Sequence, residues 1–177
     1  LAGNADHWPR GKVLGGSSSI NAMVWVRGHP RDFDDWRDAG NPGWGYDDVL
    51  PIFKVIEDNE AGADEWRGRG GPVHVTELSR FVHPLCNLYL EAAQQVGLPF
   101  NRDFNGADQE GVGIYQITTR DGRRMSAARA FLRPAMKRPN VRVETNALAT
   151  KILFEGSRAV GVEYEQRGRK HSVRAGR

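Results

Sequence analysis

The pattern of apolar residues changes near Val141, and this change constrains the fold more than any single motif. Before that point, apolar residues recur at helical spacing in several segments. After it they alternate along the segments "VRVET", "ALATKILFE", "AVGVEYEQ" and "HSVRA", with short turns at Gly156 and Gly168. Alternation with short turns is typical of an antiparallel β-meander. Helices followed by strands predict an α+β fold, or a piece of a larger α/β protein.

Helix signals precede the meander in four places. Residues 30–39 and 47–58 predict two helices, the first closed by Gly40 and the second with Pro51 in its first turn. A third is predicted from apolar residues at i, i+3, i+4, i+7, i+8 and i+11 before Gly97, and a fourth begins at Ser126 and is interrupted near Pro134. The periodic positions of the third helix are Leu85, Leu88, Tyr89, Ala92, Ala93 and Val96. Short strands are expected at "VHVTEL" and "IYQITTRDGRR", and a helix followed by a strand within "INAMVWVRG".

The composition excludes some classes of protein. Hydrophobic residues make up 39% and charged residues 27%, and no apolar run is long enough to predict a transmembrane segment. A net charge of +3 does not indicate a nucleic-acid partner. A single cysteine, Cys86, allows no internal disulfide, and the lack of disulfides suits a reducing compartment. We expect Cys86 to be a small buried apolar residue. We therefore expect a cytoplasmic protein, or one peripheral to a membrane.

The stretch "GKVLGGSSSIN", residues 11–21, predicts a tight turn that leads into a helix. Gly15 and Gly16 permit close backbone approach, and serine N–H and hydroxyl groups at a helix start can face an anion. An ordinary turn with a serine cap explains the same letters. The stretch is not a Walker A loop, and the chain has no G-x-G-x-x-G fingerprint after a strand. Any nucleotide would need a second segment for its main site.

No catalytic or metal-binding residue follows from spacing. The five histidines lack a metal-ligand pattern, and His29 and His83 each precede a proline at a predicted helix start. Asp34, Asp35, Asp47 and Asp48 are explained as acids near helix starts, which the helix dipole favours. The tryptophans lie among acids and glycines, so core packing is favoured over nucleic-acid stacking.

The order of the pieces is more specific than any one of them. "PRGKVLGGSSSINAMVWVRGHPRDFDDW" resembles the first signature of the glucose-methanol-choline (GMC) oxidoreductases, most closely the choline dehydrogenase and alcohol dehydrogenase branch. "GNPGWGYDDVLPIF", "DFNGADQEGVGIYQ", "RRMSAARAFLRPA" and "NVRVETNALATKILFEGSRAVGVEY" are similar to later segments of that family, in the same order. The resemblance covers nearly the whole chain, with "LAGNADHW" outside it.

The resemblance implies a flavoprotein, in which a Rossmann-like FAD domain is interleaved with a substrate domain and an alcohol is oxidised by hydride transfer to the flavin. It divides the chain into FAD-domain residues 1–75, substrate-domain residues 76–138 and an FAD-domain meander at residues 139–177. It implies that the turn lies along the pyrophosphate, the next residues beside the isoalloxazine, and one strand residue against the adenine. The implied cofactor residues are Val13, Gly15, Gly16, Ser17, Asn21, Ala22, Met23, Val24 and Ala149.

Some family members attach FAD through a histidine just before the motif asparagine, where this sequence has Ile20. The resemblance therefore implies non-covalent FAD. It also implies that the G-x-G-x-x-G segment and the segment with the catalytic histidine lie outside this chain, so we expect an internal piece of a longer protein. Alone, the piece should neither bind FAD tightly nor oxidise alcohol, and it should aggregate because meander faces are exposed.

Two other interpretations stay open at this point. In a non-enzymatic module, the glycine–serine turn and the basic stretch "RGRKHSVRAGR" would bind an anionic partner; a degenerate relative would keep the fold without the chemistry. The sequence does not specify which alcohol is the substrate, whether oxygen or a quinone-like carrier accepts the electrons, or the oligomeric state.

Overall fold

A computed structural model describes Gly3 and residues 5–176. The chain divides into two compact units, Leu1–Ala135 and Met136–Arg177. Of the helices in the described part of the chain, none combines the length and the apolar character needed to cross a bilayer.

The first two helices begin at the caps that the sequence predicts. Helix α1, Pro30–Asp38, starts after His29, whose Nδ1 accepts a hydrogen bond from the Arg31 N–H at 3.1 Å. The Asp32 carboxylate accepts from the His29 N–H at 2.9 Å, which completes a capping box. Helix α2 covers Tyr46–Ile56. Pro30 at the first position of α1 and the acids in the first turn of α2 agree with the predicted helix starts.

The end of α2 differs from the prediction. Strand β1, Glu57–Asn59, follows α2 directly and pairs in parallel with β2, Val73–Val75. Pro51 is also not in the first turn but inside the helix. The predicted end of α2 was wrong because tertiary contacts override the helical pattern there: Glu57 is completely buried and pairs with Val73 of β2. Pro51 is the sixth residue of α2 and therefore lies beyond its first turn.

Two small apolar clusters form the core of the first unit. Phe33, Tyr46 and Val49 pack together with Phe53 and Trp66 beside them. The second cluster places Trp25 against two buried residues of β2 and two that follow later in the chain, namely Val73, Val75, Met125 and Ala130. Trp36 and Trp44 are each 51% exposed, so the expected core role of the tryptophans holds only for some of them.

Helix α3, Pro84–Gln95, ends before Gly97, whose φ of 95° is left-handed. Most of its periodic apolar residues are exposed: Leu85 by 64%, Leu88 by 58% and Tyr89 by 70%. Cys86 is half-buried and not buried as expected. The periodicity located the helix, but the apolar stripe lacks a cover within the described residues of this chain.

The chain between α3 and the meander holds little regular structure. Strands β3, Thr119–Arg120, and β4, Arg123–Arg124, form a short hairpin. A π-helical turn, Ala128–Leu132, then leads into the short helix α4, Arg133–Ala135. The Arg129 N–H lies 3.4 Å from the Ser126 hydroxyl oxygen, as expected for a helix start near Ser126.

The second unit contains the antiparallel meander. Strands β5, Ala147–Glu155, β6, Arg158–Gln166, and β7, Arg169–Arg174, pair in sequence order. The predicted strand "VRVET" is absent, because residues 141–145 have no strand partner in the described part of the unit and Asn146 turns the chain with a φ of 52°. The mixed fold that ends in a meander is therefore confirmed.

Candidate functional site

The glycine–serine turn, residues 11–21, is an ordered turn that closes on itself. Gly15 and Gly16 both have left-handed backbones, with φ values of 95° and 56°, and the Gly16 N–H donates to the Val13 carbonyl at 2.8 Å. A side chain at Gly11 would lie 2.2 Å from the Gly16 carbonyl oxygen, so Gly11 must be glycine. The serines form a single 3-10 turn, Gly16–Ser19, and not the start of a longer helix.

Two of the three serine hydroxyls are used inside the protein. Ser18 Oγ donates to the Gly15 carbonyl and accepts from the Ala127 N–H at 2.9 Å. Ser19 Oγ donates to the Leu14 carbonyl at 2.9 Å. Ser17 Oγ accepts from the Gly11 N–H at 3.3 Å, so its own hydroxyl proton can still be donated outward. Since Ser17 is exposed, it is the serine best placed to meet a ligand.

The turn presents an open, partly apolar face. A side chain added at Gly16 would meet no atom within 4 Å, so this backbone is accessible to a bulky group. Val13 is 56% exposed, and Leu14 and Ile20 are each about half exposed.

The residues after the turn are held in an unusual backbone conformation. Met23 has a φ of 64°, which is uncommon for a residue other than glycine. Its N–H donates to Asn21 Oδ1 at 3.1 Å, and its carbonyl accepts from the Thr118 N–H at 2.9 Å. Val24 is bridged to Ile117 by backbone pairing. A strained backbone that is fixed from both sides commonly marks a ligand site.

Arg124 connects the turn to the β3–β4 hairpin, and sequence reasoning did not identify it. Its Nη1 donates to the Asn21 carbonyl and to Asn21 Oδ1, each at 2.7 Å, and lies 3.2 Å from the Ser18 carbonyl. One guanidinium thereby contacts the last part of the glycine–serine turn at two residues. Arg124 follows a glycine turn and lies 103 positions after Asn21, and no sequence pattern connects residues that are so far apart.

A buried polar network lies behind the segment that follows the turn. Arg27 Nη2 and Glu57 Oε2 are 2.5 Å apart, and the two side chains are 3% and 0% exposed. Glu57 also accepts from Trp25 Nε1 at 3.1 Å and from Asn59 Nδ2 at 2.8 Å. The Arg27 N–H donates to Asn105 Oδ1 at 2.8 Å. The network anchors Trp25 and Arg27 to β1 and to Asn105.

Ala149 lies in the second unit, which is described by itself. It is an exposed residue of the edge strand β5, opposite Tyr164. The register shifts between Ala149 and Lys151, as in a β-bulge. An edge strand has unpaired backbone groups on its outer side, and these groups can hydrogen-bond to an adenine ring without any side chain.

Acid–base and metal chemistry find little support here. Asp58 Oδ2 lies 2.7 Å from His74 Nδ1, and this bond, with another from the Gly70 N–H, lowers the pKa of Asp58 below its ordinary value. The pair joins neighbouring positions of β1 and β2 and is a structural contact. Among the described side chains, no three His, Cys, Asp or Glu residues converge as a metal site would require.

Comparison with known proteins gives the family of this chain. The GMC oxidoreductase family model matches residues 2–177. An oxygen-dependent choline dehydrogenase of Sinorhizobium medicae is 52% identical over 169 residues, which are 96% of this chain and 30% of the relative. The mitochondrial choline dehydrogenase of Homo sapiens is 47% identical over 175 residues, 99% of this chain and 29% of the relative.

Solved structures show the same similarity. The pyridoxine 4-oxidase of Mesorbium loti matches with a TM-score of 0.90 and 38% identity, over 98% of this chain and 34% of that chain. An FAD-dependent oxidoreductase of Chaetomium thermophilum matches with a TM-score of 0.84 and 33% identity, over 94% of this chain and 31% of that chain.

The chain belongs to the GMC oxidoreductase family. It spans about a third of the length of the relatives it matches. The family and its FAD-dependent neighbour imply a flavin cofactor. The family resemblance inferred from the sequence is thus confirmed, and the interpretation as an unrelated anion-binding module is set aside.

Proposed function

We propose that this chain is the central part of an FAD-dependent oxidoreductase that acts on the CH–OH group of a donor, a choline-like or other primary alcohol. The observation that carries the proposal is the open glycine–serine turn, which continues into the strained backbone at Met23. Choline dehydrogenases that are 47% and 52% identical support the substrate class.

The residues of the turn fit a flavin nucleotide. Val13, Gly15, Gly16 and Ser17 would follow the pyrophosphate, because the backbone at Gly16 is open and the Ser17 hydroxyl proton is free to donate. A polarised turn of this kind needs no cationic side chain to hold an anion.

The four residues Asn21, Ala22, Met23 and Val24 would lie beside the isoalloxazine, and Ala149 would contact the adenine through its backbone. Asn21 and Met23 are held by Arg124 and Thr118, so their backbone is fixed before any ligand arrives. Such preorganisation lowers the cost of binding.

When bound, the flavin supplies the hydride acceptor for the carbon of the alcohol. The residues of this chain bind and orient the cofactor and exclude water from one side of it. Ile20 makes the attachment non-covalent at this position. We propose no catalytic acid or base within these 177 residues, and we place that group in a segment outside them.

The same proposal covers the organisation of the protein. Residues 1–75 and 139–177 would belong to the FAD domain and residues 76–138 to the substrate domain. We propose a cytoplasmic location, or one peripheral to a membrane, because a single cysteine suits a reducing compartment. The electron acceptor would be oxygen or a quinone-like carrier.

The test uses the full-length protein. We expect it to purify with the absorbance of oxidised flavin, to release FAD on denaturation, and to lose this absorbance when choline or another primary alcohol is added without oxygen. The 177-residue chain alone should show none of these three properties. A full-length protein without flavin would contradict the cofactor assignment, and a flavoprotein that no primary alcohol reduces would contradict the substrate class.

A further inference from the structure

A cleft lined mainly by arginines lies beside the β3–β4 hairpin. Its volume is about 340 Å³, and we call it the arginine cleft; its lining residues are Arg123, Arg124, Ser126, Arg129 and Arg133. The two hairpin arginines are neighbours in sequence, and Arg129 and Arg133 are four positions apart across the π turn and α4. Four of the five residues that line this cleft are therefore arginines.

In the described part of the chain, none of these four arginines pairs with a carboxylate. Arg124 donates to neutral oxygens of Ser18 and Asn21, and Arg129 Nη1 lies 3.5 Å from the Arg124 carbonyl. Other arginines of the protein do have acidic partners within 4 Å; they are Arg27, Arg37, Arg67, Arg142 and Arg174. The cleft is thus a concentration of positive charge without internal compensation.

Such an arrangement favours an anion of high charge. Like charges held together repel, and an anionic ligand placed between them removes that repulsion. Guanidinium groups offer paired N–H donors that match the oxygens of a phosphate group. The volume is in the range of small-molecule sites and exceeds what a single water or chloride would fill.

We propose that the arginine cleft binds the polyphosphate group of a small molecule, at a site separate from that of the flavin. Arg123 and Arg133 are exposed and would supply much of the attraction, while Ser126 can donate one hydroxyl hydrogen bond. Arg124 lines the cleft and also holds Asn21, so the site is in direct contact with the segment proposed to face the isoalloxazine. Ligand binding in the arginine cleft should therefore change the surroundings of the glycine–serine turn.

The test is a titration of the full-length protein, saturated with FAD, with inorganic pyrophosphate at constant ionic strength, followed by calorimetry. We expect saturable binding, and at least a tenfold rise in the dissociation constant in the double variant Arg123→Gln with Arg133→Gln. A matched control is Arg31→Gln with Arg80→Gln, which makes the same change of charge at exposed positions outside the cleft. The control should bind pyrophosphate as the unchanged protein does.

Every other outcome overturns the proposal. Binding that disappears when FAD saturates the protein would assign the pyrophosphate to the flavin site. Equal weakening in the two double variants would show general screening of charge, as would equal binding of succinate. No binding to a protein whose flavin absorbance is normal would reject the arginine cleft and leave the proposed function intact.

Discussion

The first compact unit encloses Val75, Glu57 and Asn59 almost completely, whereas in the described part of the second unit only Gly161 is buried. The first unit is held by side chains that lock distant segments together, such as the network around Arg27. The meander is held by backbone pairing, and Leu148, Ile152 and Phe154 are more than half exposed. The turn proposed to bind FAD is therefore supported by side chains of its own unit, while the meander is stabilised mainly by backbone pairing and leaves apolar side chains exposed.

The largest expected effect breaks the polar support of the first unit. Replacing Arg27 with Ala leaves the completely buried Glu57 carboxylate without its cation, and we expect a loss of about 3–5 kcal/mol in the free energy of unfolding. The matched change Arg174→Ala removes an exposed pair with Glu155 in the meander and should cost less than about 1 kcal/mol. Urea denaturation of the full-length protein measures both. Equal losses would contradict the contrast between the units.

The next effect concerns the attachment of the turn. Arg124→Ala removes the donor to Asn21 and Ser18, so we expect FAD to bind about tenfold to a hundredfold more weakly. Arg123→Ala changes the charge equally at the neighbouring exposed position and should leave FAD affinity nearly unchanged. Fluorescence titration of the flavin-free protein separates the two. Similar losses in both variants would mean that charge, and not the hydrogen bonds of Arg124, matters.

A third prediction tests the uncovered apolar surfaces. The 177-residue chain alone should aggregate, because residues of α3 and of the meander are exposed. Leu85→Lys with Leu88→Lys should raise the monomeric fraction in size-exclusion chromatography, whereas Leu90→Lys should unfold the chain because Leu90 is buried. An unchanged chain that is monodisperse and melts cooperatively would refute this prediction.

The smallest expected effect is a pH dependence of the free energy of unfolding that arises from Asp58 in the first unit. The hydrogen bond from His74 and then that from the Gly70 N–H lower the pKa of Asp58 below its ordinary 3.8. The folded protein therefore binds fewer protons at Asp58 than the unfolded chain, so the contribution to stability is present above pH 3.8 and is lost as the pH falls through the folded pKa. In Asp58→Asn, the free energy of unfolding should fall less steeply as the pH is lowered through that range. The same pH dependence in the variant and the unchanged protein would refute the role given to Asp58.

Local signals predicted the elements whose causes are local. Proline after His29 and His83, with Gly97 as a stop, located α1 and α3, because caps act within one turn of a helix. Alternation and turn glycines likewise predicted β5, β6 and β7.

What the sequence did not predict depends on distant partners. Glu57 continues a helical pattern, but its contact with Arg27 and the pairing of β1 with β2 both come from distant parts of the sequence. The periodic apolar residues of α3 predicted that one face of the helix is apolar, but they do not identify what packs against that face. Arg124 reaches Asn21 from 103 positions away, and no local pattern encodes such a pair.

The most direct measurement of the central claim compares two glycines of nearly equal φ, one in each unit. Gly16 at 56° and Gly156 at 60° both have open space where a side chain would be added, so Ala strains the backbone similarly at both. In the full-length protein, Gly16→Ala should weaken FAD binding at least tenfold more than Gly156→Ala, because only the first places a methyl group on the proposed pyrophosphate path. Equal FAD affinities in the two variants would contradict the assignment of the glycine–serine turn to the flavin.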